Sequence, residues 1–403
     1  MKRVKVITIA FAFMLVIVAA SAQPVAAASR SDTLISYISG RFDAERGGYS
    51  PPLDSVVRVD ATYGAILALN ELGFLSTRPP PVNLTKVLGS LVIRQWSIDA
   101  TVADNETGID YERYGGFSEY LAGPVTMKMN LRGIVLHDLL KVQTDYPGII
   151  ATDIDKDAML VHMNRTLTDA GGFSRIPGYT PDMVSTYQAL YIINSLNEND
   201  ESLNAWDIVN ESATIEWINS CKVDDGFKLS PTSDTIGVTS TSAAIMALDL
   251  LPSVTTVPGI QEATNWVLAR QMVDADNDQF IGGFEEGFDS GDPNFQSTYY
   301  ALKLVDLAGA LVSVNQTIAT DFILNCQVED GSWGFIPGVD IGTMVYAGQA
   351  CELLNILGNA ANILAASEDP NTPGGFVLDW RYLVIAGIIV MALVIAVVMV
   401  RRD

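Results

Sequence analysis

The chain has 403 residues, 49% of them hydrophobic and 18% charged, and a formal net charge of −23 at pH 7. So acidic a surface repels nucleic acid and anionic lipid, and excludes partners held through a basic face. Three cysteines, Cys221, Cys326 and Cys351, are too few for a disulfide scaffold. A large apolar core must then hold the fold, and the thiols are expected to be unpaired.

The first residues read MKRVK, followed by an apolar stretch to about Ala19 and the small residues Ala20, Ser21 and Ala22. A basic start, a short apolar run and small residues predict a secretory signal over residues 1–22, cleaved near Gln23. The alternative, an anchor helix left in place, would need a longer run of about 20 apolar residues.

Residues 23–358 carry an internal repeat of about 55 residues. A glycine-aromatic phrase recurs as RGGYSP from Arg46, YGGFSE from Tyr114, AGGFSR from Ala170, DDGFKL from Asp224, IGGFEE from Ile281 and DGSWGF from Asp330. Amphipathic segments precede the copies, for example from Asn83, Asp155, Ala213, Ile260 and Thr317. More uniformly apolar segments follow them: ATYGAILALNEL, NLRGIVLHDLL, STYQALYIINSL, STSAAIMALDLL, STYYALKLVDLA and MVYAGQACELLNIL. An amphipathic helix faces water on one side, whereas one apolar all round is buried. The alternation predicts an outer ring of six helices around an inner ring of six. An open solenoid would need polar end repeats, which are missing here, so the ring is expected to close.

Residues 359–380 read as a linker and 381–400 as a membrane span, because 382–400 carry no charge and Trp380 and Tyr382 suit an interface. Arg401 and Arg402 place the last residues, 401–403, in the cytoplasm. The expected topology is single-pass type I in the cell membrane, with an extracellular ectodomain. Sequons at Asn83, Asn105, Asn164, Asn210 and Asn315 are compatible with glycosylation there.

The phrase CQVEDGSWGF from Cys326, with the weaker CKVDDGF from Cys221, resembles the repeat of protein prenyltransferase β subunits and squalene/terpene cyclases. The resemblance implies an all-α, α6/α6 toroid. It implies no reaction, because one fold hosts many. Prenyltransferases of this kind hold zinc with an aspartate, a cysteine and a histidine. Here Asp60 is followed by Ala61 and Thr62 where a cysteine belongs, and the two histidines, His137 and His162, lie elsewhere. The DxDD acid of the cyclases has only DIDKD from Asp153 as a counterpart, which suits the start of an outer helix. Zinc is therefore not expected.

Two acidic patterns remain. In DADNDQFIGGFE, Asp274, Asp276, Asp278 and Glu285 fall at positions one, three, five and twelve of a calcium loop, although Gln279 stands where glycine belongs. The choice lies between a Ca2+ site and a solvated acidic loop. Asp60, Asp182, Asp234, Asp292 and Asp340 each precede or open an inner helix, where aspartate caps well, and the second repeat has Lys128. With Tyr63, Tyr187, Tyr299, Tyr300 and Tyr346 they are expected around the mouth of the ring, where the tyrosines either face a ligand or pack into the core. Two functions fit: a non-catalytic module binding a ligand or protein there, or an enzyme acting on an isoprenoid or polysaccharide through rim carboxylates.

Overall fold

The computed structural model describes residues 22–25, 28–77, 82–96, 112–141, 153–274, 276–287, 291–370 and 375–378. It divides into residues 34–363 and a terminal unit drawn from residues 1–33 and 364–403. In the terminal unit, strand β1 (Ala22–Val25) pairs antiparallel with a strand at Gly375–Leu378, Ala22 opposite Leu378. The Arg30 amide donates to the Ser367 carbonyl at 3.0 Å, and the Thr33 hydroxyl to Asp369 at 2.6 Å.

Six helix pairs follow one another along the chain. They are α1 (Arg30–Arg41) with α2 (Val59–Glu71), α3 (Leu84–Val92) with α4 (Met127–Lys141), and α5 (Lys156–Thr166) with α6 (Met183–Asn199). Then come α7 (Glu211–Ser220) with α8 (Val238–Leu250), α9 (Ile260–Leu268) with α10 (Phe295–Leu307), and α11 (Gln316–Asn325) with α12 (Met344–Leu357). A short α13 (Ala360–Ala366) follows. The predicted alternation is present. Outer α3 buries Leu84, Val87, Leu88 and Leu91, one stripe at helical spacing, whereas inner α8 buries every residue from Val238 to Leu248.

The even-numbered helices pack in sequence, α2 on α4, then α6, α8, α10 and α12, and α12 packs back on α2. That last contact closes the inner ring, and glycine makes it possible. A methyl group on Gly64 would overlap the Met344 carbonyl, and one on Gly348 would overlap the Gly64 carbonyl. The backbones therefore touch at the seam. Below it, the Asn355 carboxamide donates to the Glu71 carbonyl at 2.9 Å and to its carboxylate at 2.7 Å.

Each link buries its aromatic residue: Tyr49, Phe117, Phe173, Phe227, Phe284 and Trp333 are all essentially inaccessible. In five repeats the aromatic amide donates to a side chain one turn into the following inner helix. The acceptors are Thr62, Asn130, Thr186, Thr241 and Thr298, at 2.8–3.0 Å. The sixth repeat has Ala347 at that register, and there the Trp333 indole donates to the Ile323 carbonyl at 2.8 Å instead. A second set of bonds joins repeat to repeat. The first amide of each of the first five inner helices, from Val59, Met127, Met183, Val238 and Phe295, donates to a carbonyl of the next link, on Glu119, Arg175, Leu229, Glu286 and Phe335. The links and inner-helix starts thus share one rim.

The strands of the links are short hairpins, β2 (Phe42–Asp43) with β3 (Gly48–Tyr49) and β4 (Lys222–Val223) with β5 (Gly226–Phe227); the strand at Gly375–Leu378 is β6. Gly282 has φ +98°, and a methyl there would strike the Ile318 carbonyl in the first turn of α11. The first glycine of the link is therefore required twice over, by conformation and by contact. Glutamine joins neighbouring outer helices: the Gln95 carboxamide accepts from the Asp155 amide and donates to its carbonyl, both at 2.6 Å.

One expectation is corrected. Among the described residues, no helix is long and apolar enough to cross a membrane. The single-pass type I, cell-membrane localisation is therefore not borne out. The segments on which it rested, residues 1–21 and 379–403, lie outside the described residues, as does Asn105. The other sequon asparagines, Asn83, Asn164, Asn210 and Asn315, are exposed. Three of them stand at the N-caps of α3, α7 and α11.

Candidate functional site

The inner helices turn polar side chains toward one another across the ring. Tyr63 of α2 lies within electrostatic reach of Arg132 of α4, Tyr191 of α6, Tyr300 of α10 and Glu352 of α12. Five helices thus contribute to one locus. Tyr187 stacks edge-on against Tyr191 and Tyr300, with ring centroids 6.4 and 6.3 Å apart, and Tyr299 against Tyr300 at 5.8 Å. Tyr346 packs on Phe295 at 5.1 Å and reaches Phe335 of the last link at 6.2 Å. Tyr187, Tyr191, Tyr299, Tyr346, Lys303 and Glu352 are half-buried, so the polar side of the locus keeps access to solvent.

Charges inside the ring are arranged in opposed pairs. Tyr299 donates to one Glu352 oxygen at 2.8 Å and Lys303, one turn along α10, to the other at 2.7 Å. Toward the rim, Arg132 faces Asp60 at 3.8 Å and lies 6.0 Å from the centre of the Tyr63 ring. Burial, aided by Glu352, raises the Tyr63 and Tyr299 phenols well above their ordinary value. Burial, followed by neighbouring acidic groups, pushes Tyr191 up to about 12. These phenols therefore stay neutral and able to donate. Burial, only partly opposed by Asp60, lowers the Arg132 guanidinium. Lys128, exposed at the mouth, is pulled down to about 8, first by the Arg132 charge and then by desolvation.

The rim aspartates separate. Asp182 caps α6, accepting from the Ser185 amide at 2.8 Å, and Asp60 faces Arg132. Asp234, Asp292 and Asp340 lie exposed on three different links. Expected capping is corrected for these three and for Asp60: Arg58, Gly237, Asn294 and Thr343 hold the cap positions of α2, α8, α10 and α12, with Asp60 inside α2 and the other aspartates upstream of their helices. The α8 start is served from the next repeat, where Glu286 accepts from the Thr239 amide at 3.1 Å and its hydroxyl at 2.6 Å. Burial raises the Glu286 carboxyl.

The calcium pattern does not converge. Among the described residues, no three His, Cys, Asp or Glu side chains gather as a metal site, so Asp274, Asp276, Asp278 and Glu285 do not surround a common point. Asp278 instead opens a 3-10 turn capped by Asn277, the local geometry that replaces the glycine turn. Zinc chemistry also lacks its donors. His137 is closed between Asp153 at 2.7 Å and Asp138 at 3.4 Å. His162, on outer helix α5, faces the Tyr114 carbonyl at 3.0 Å. Its Nε2 has no partner among the described residues, and burial pushes its pKa down to about 4. Cys221, Cys326 and Cys351 are free and buried, and burial raises all three thiols. The zinc of prenyltransferases does not fit this residue set, and no step is assigned to it.

The sequence model of the prenyltransferase alpha-alpha toroid domain matches residues 135–275 and 244–369, more than half of the chain. The protein belongs to this family. No curated protein sequence matches it. Among solved structures, it is similar to Candida albicans protein geranylgeranyltransferase-I complexed with GGPP, at 15% identity and a TM-score of 0.55 over 78% of this chain and 88% of that one. A wild-type glycosidase aligns at 14% identity and a TM-score of 0.50, over 83% and 97%. A type II terpene cyclase from Scytonema aligns at 12% and 0.49, again over 83% and 97%. At such identities the likeness concerns the fold alone.

Reading by sequence placed Tyr63, Tyr187, Tyr299, Tyr300 and Tyr346 in this region but passed over Arg132, Tyr191, Lys303 and Glu352. A signal was available. Each of the three charged residues stands between apolar neighbours of an inner helix, Arg132 and Lys303 next to Leu131 and Leu302, and Glu352 before Leu353. A charge there must face the ring interior or be buried without compensation.

Proposed function

We propose that the toroid is a non-catalytic binding module whose ring interior holds a hydroxylated ligand with an apolar face, a saccharide. The observation that carries this is the convergence of Tyr63, Tyr187, Tyr191, Tyr299 and Tyr300 from three inner helices, with their phenols neutral. Sugars offer C–H faces for aromatic rings and hydroxyls for phenols and carboxylates. An isoprenoid chain would desolvate the same polar groups and return no hydrogen bond, which costs roughly 1–3 kcal/mol for each.

Catalysis by rim carboxylates is the weaker reading. Asp60 and Glu352 already face cations at 3.8 and 2.7 Å, and Asp182 is engaged in a cap. A general acid needs a carboxyl kept protonated beside its substrate. The one carboxyl raised by burial in this region, Glu286, spends both oxygens on α8.

The test is saturation-transfer NMR with a panel of sugars and geranylgeraniol, alongside an assay for released reducing ends. Binding of a sugar, lost at least tenfold in Tyr187→Ala while the variant remains folded, is expected. Binding of the isoprenoid alcohol alone, or turnover of a saccharide, refutes the reading.

A further inference from the structure

Arg132 is a cation set into the ring interior. It is 8% exposed and stands on the inner face of α4. A guanidinium carries five N–H donors and cannot shed its charge in place of satisfying them. Among the described residues it makes no hydrogen bond. Asp60 approaches only to 3.8 Å, and Tyr63 offers a ring face at 6.0 Å. The Arg132 nitrogens are not among the fully buried unpartnered atoms, so water answers them in the free ring and an incoming anion would take that place.

The surroundings say what that would be. Lys128 lies one turn earlier on the same helix, exposed at the mouth, and has no carboxylate within salt-bridge distance among the described residues. Like charges one turn apart on a helix repel. Arg175, whose carbonyl accepts from the first amide of α4, adds a third cation nearby. In a chain of net charge −23, these three cations collect at one part of the rim, where the nearby carboxylates are Asp60 and Glu119, the latter already paired with Arg58 at 2.7 Å. The opposite pair, Lys303 and Glu352, is closed at 2.7 Å and needs nothing further. The excess positive charge is therefore at the Arg132 end.

We propose that Arg132 and Lys128 form the anion subsite of the ring, taking a carboxylate or sulfate group carried by the saccharide whose body stacks on the tyrosines. The inference rests on the saccharide reading for the ligand body, but the subsite is testable apart from it. An anion between the two side chains would receive charge-assisted hydrogen bonds from both and would relieve their mutual repulsion.

The experiment compares glucose, glucuronate and glucose 6-sulfate by saturation-transfer NMR, with free sulfate as a fourth probe followed by melting temperature. Wild-type protein should bind at least one charged sugar tenfold or more tighter than glucose, and the preferred sugar decides between carboxylate and sulfate. Arg132→Gln should abolish that preference. Lys128→Gln, at an exposed position where folding is not at stake, should reduce it several-fold. Equal affinity for charged and neutral sugars, or a preference that survives Arg132→Gln in a folded variant, overturns the proposal. If no sugar binds but sulfate raises the melting temperature of wild type and not of Arg132→Gln, the subsite stands and the saccharide reading falls. If neither sugars nor sulfate act, the subsite falls.

Discussion

Closure of the inner ring rests on two glycines, and the consequence is quantitative. Alanine at Gly64 would place its methyl against the Met344 carbonyl, and alanine at Gly348 would press on the Gly64 carbonyl. Both obstacles are backbone, so no side-chain rotation relieves them. Overpacking of this kind costs about 1–3 kcal/mol. Alanine in place of glycine within a helix returns about 1 kcal/mol through propensity. The net expectation for Gly64→Ala is a loss of up to about 2 kcal/mol, and more for Gly64→Val. Gly89, in the interior of α3, is the internal control, since a methyl there meets nothing within 4 Å. Gly89→Ala keeps the propensity gain without the overlap and should stabilise by up to about 1 kcal/mol. Urea midpoints and melting temperatures of the variants, compared with wild type, measure the difference. The two seam variants combined should also cost less than the sum of the singles, because the first separates the backbones that the second would crowd. If Gly64→Ala gains stability as Gly89→Ala does, the seam is not in backbone contact and the ring does not close as described.

Three further outcomes follow from the links, the buried histidine and the aromatic interior. Thr298→Val removes the acceptor of the buried Phe284 amide, 3.0 Å away. It should cost about 1–3 kcal/mol and speed exchange of that amide, with Thr298→Ser recovering most of the loss. His162 has a pKa near 4 in the fold against about 6.5 when unfolded, so the unfolded chain takes the proton first. Its contribution is fully present above about pH 6.5 and is lost as pH falls toward 4, by as much as about 3 kcal/mol. His162→Gln should flatten that part of the stability profile, and an unchanged profile would refute the assignment. Tyr299→Phe deletes the 2.8 Å hydrogen bond to Glu352 but leaves Lys303 in place. It should weaken sugar binding while changing stability by no more than about 1.5 kcal/mol, measured by titration and melting together.

The twelve-helix alternation was legible because burial writes itself into periodicity. Leu84, Val87, Leu88 and Leu91 mark one buried stripe, and the run from Val238 to Leu248 marks a helix buried on every side. The glycine-aromatic links were legible for the same kind of reason, since a positive φ beside a backbone contact admits glycine and little else. These are local demands, and each repeat states them again. The choice of binding residues is different in kind. Arg132, Tyr191, Lys303 and Glu352 are far apart in the chain and come near one another only because the ring brings their four helices together. The calcium spacing shows the converse: Asp274, Asp276, Asp278 and Glu285 hold the right intervals, yet the turn at Asp278 disperses them. Spacing along the chain prescribes what one helix or turn must do. Which side chains meet, and which charges face one another without a hydrogen bond as Arg132 and Asp60 do, was decided by the closure of α12 on α2, where Gly64 and Gly348 let two backbones touch.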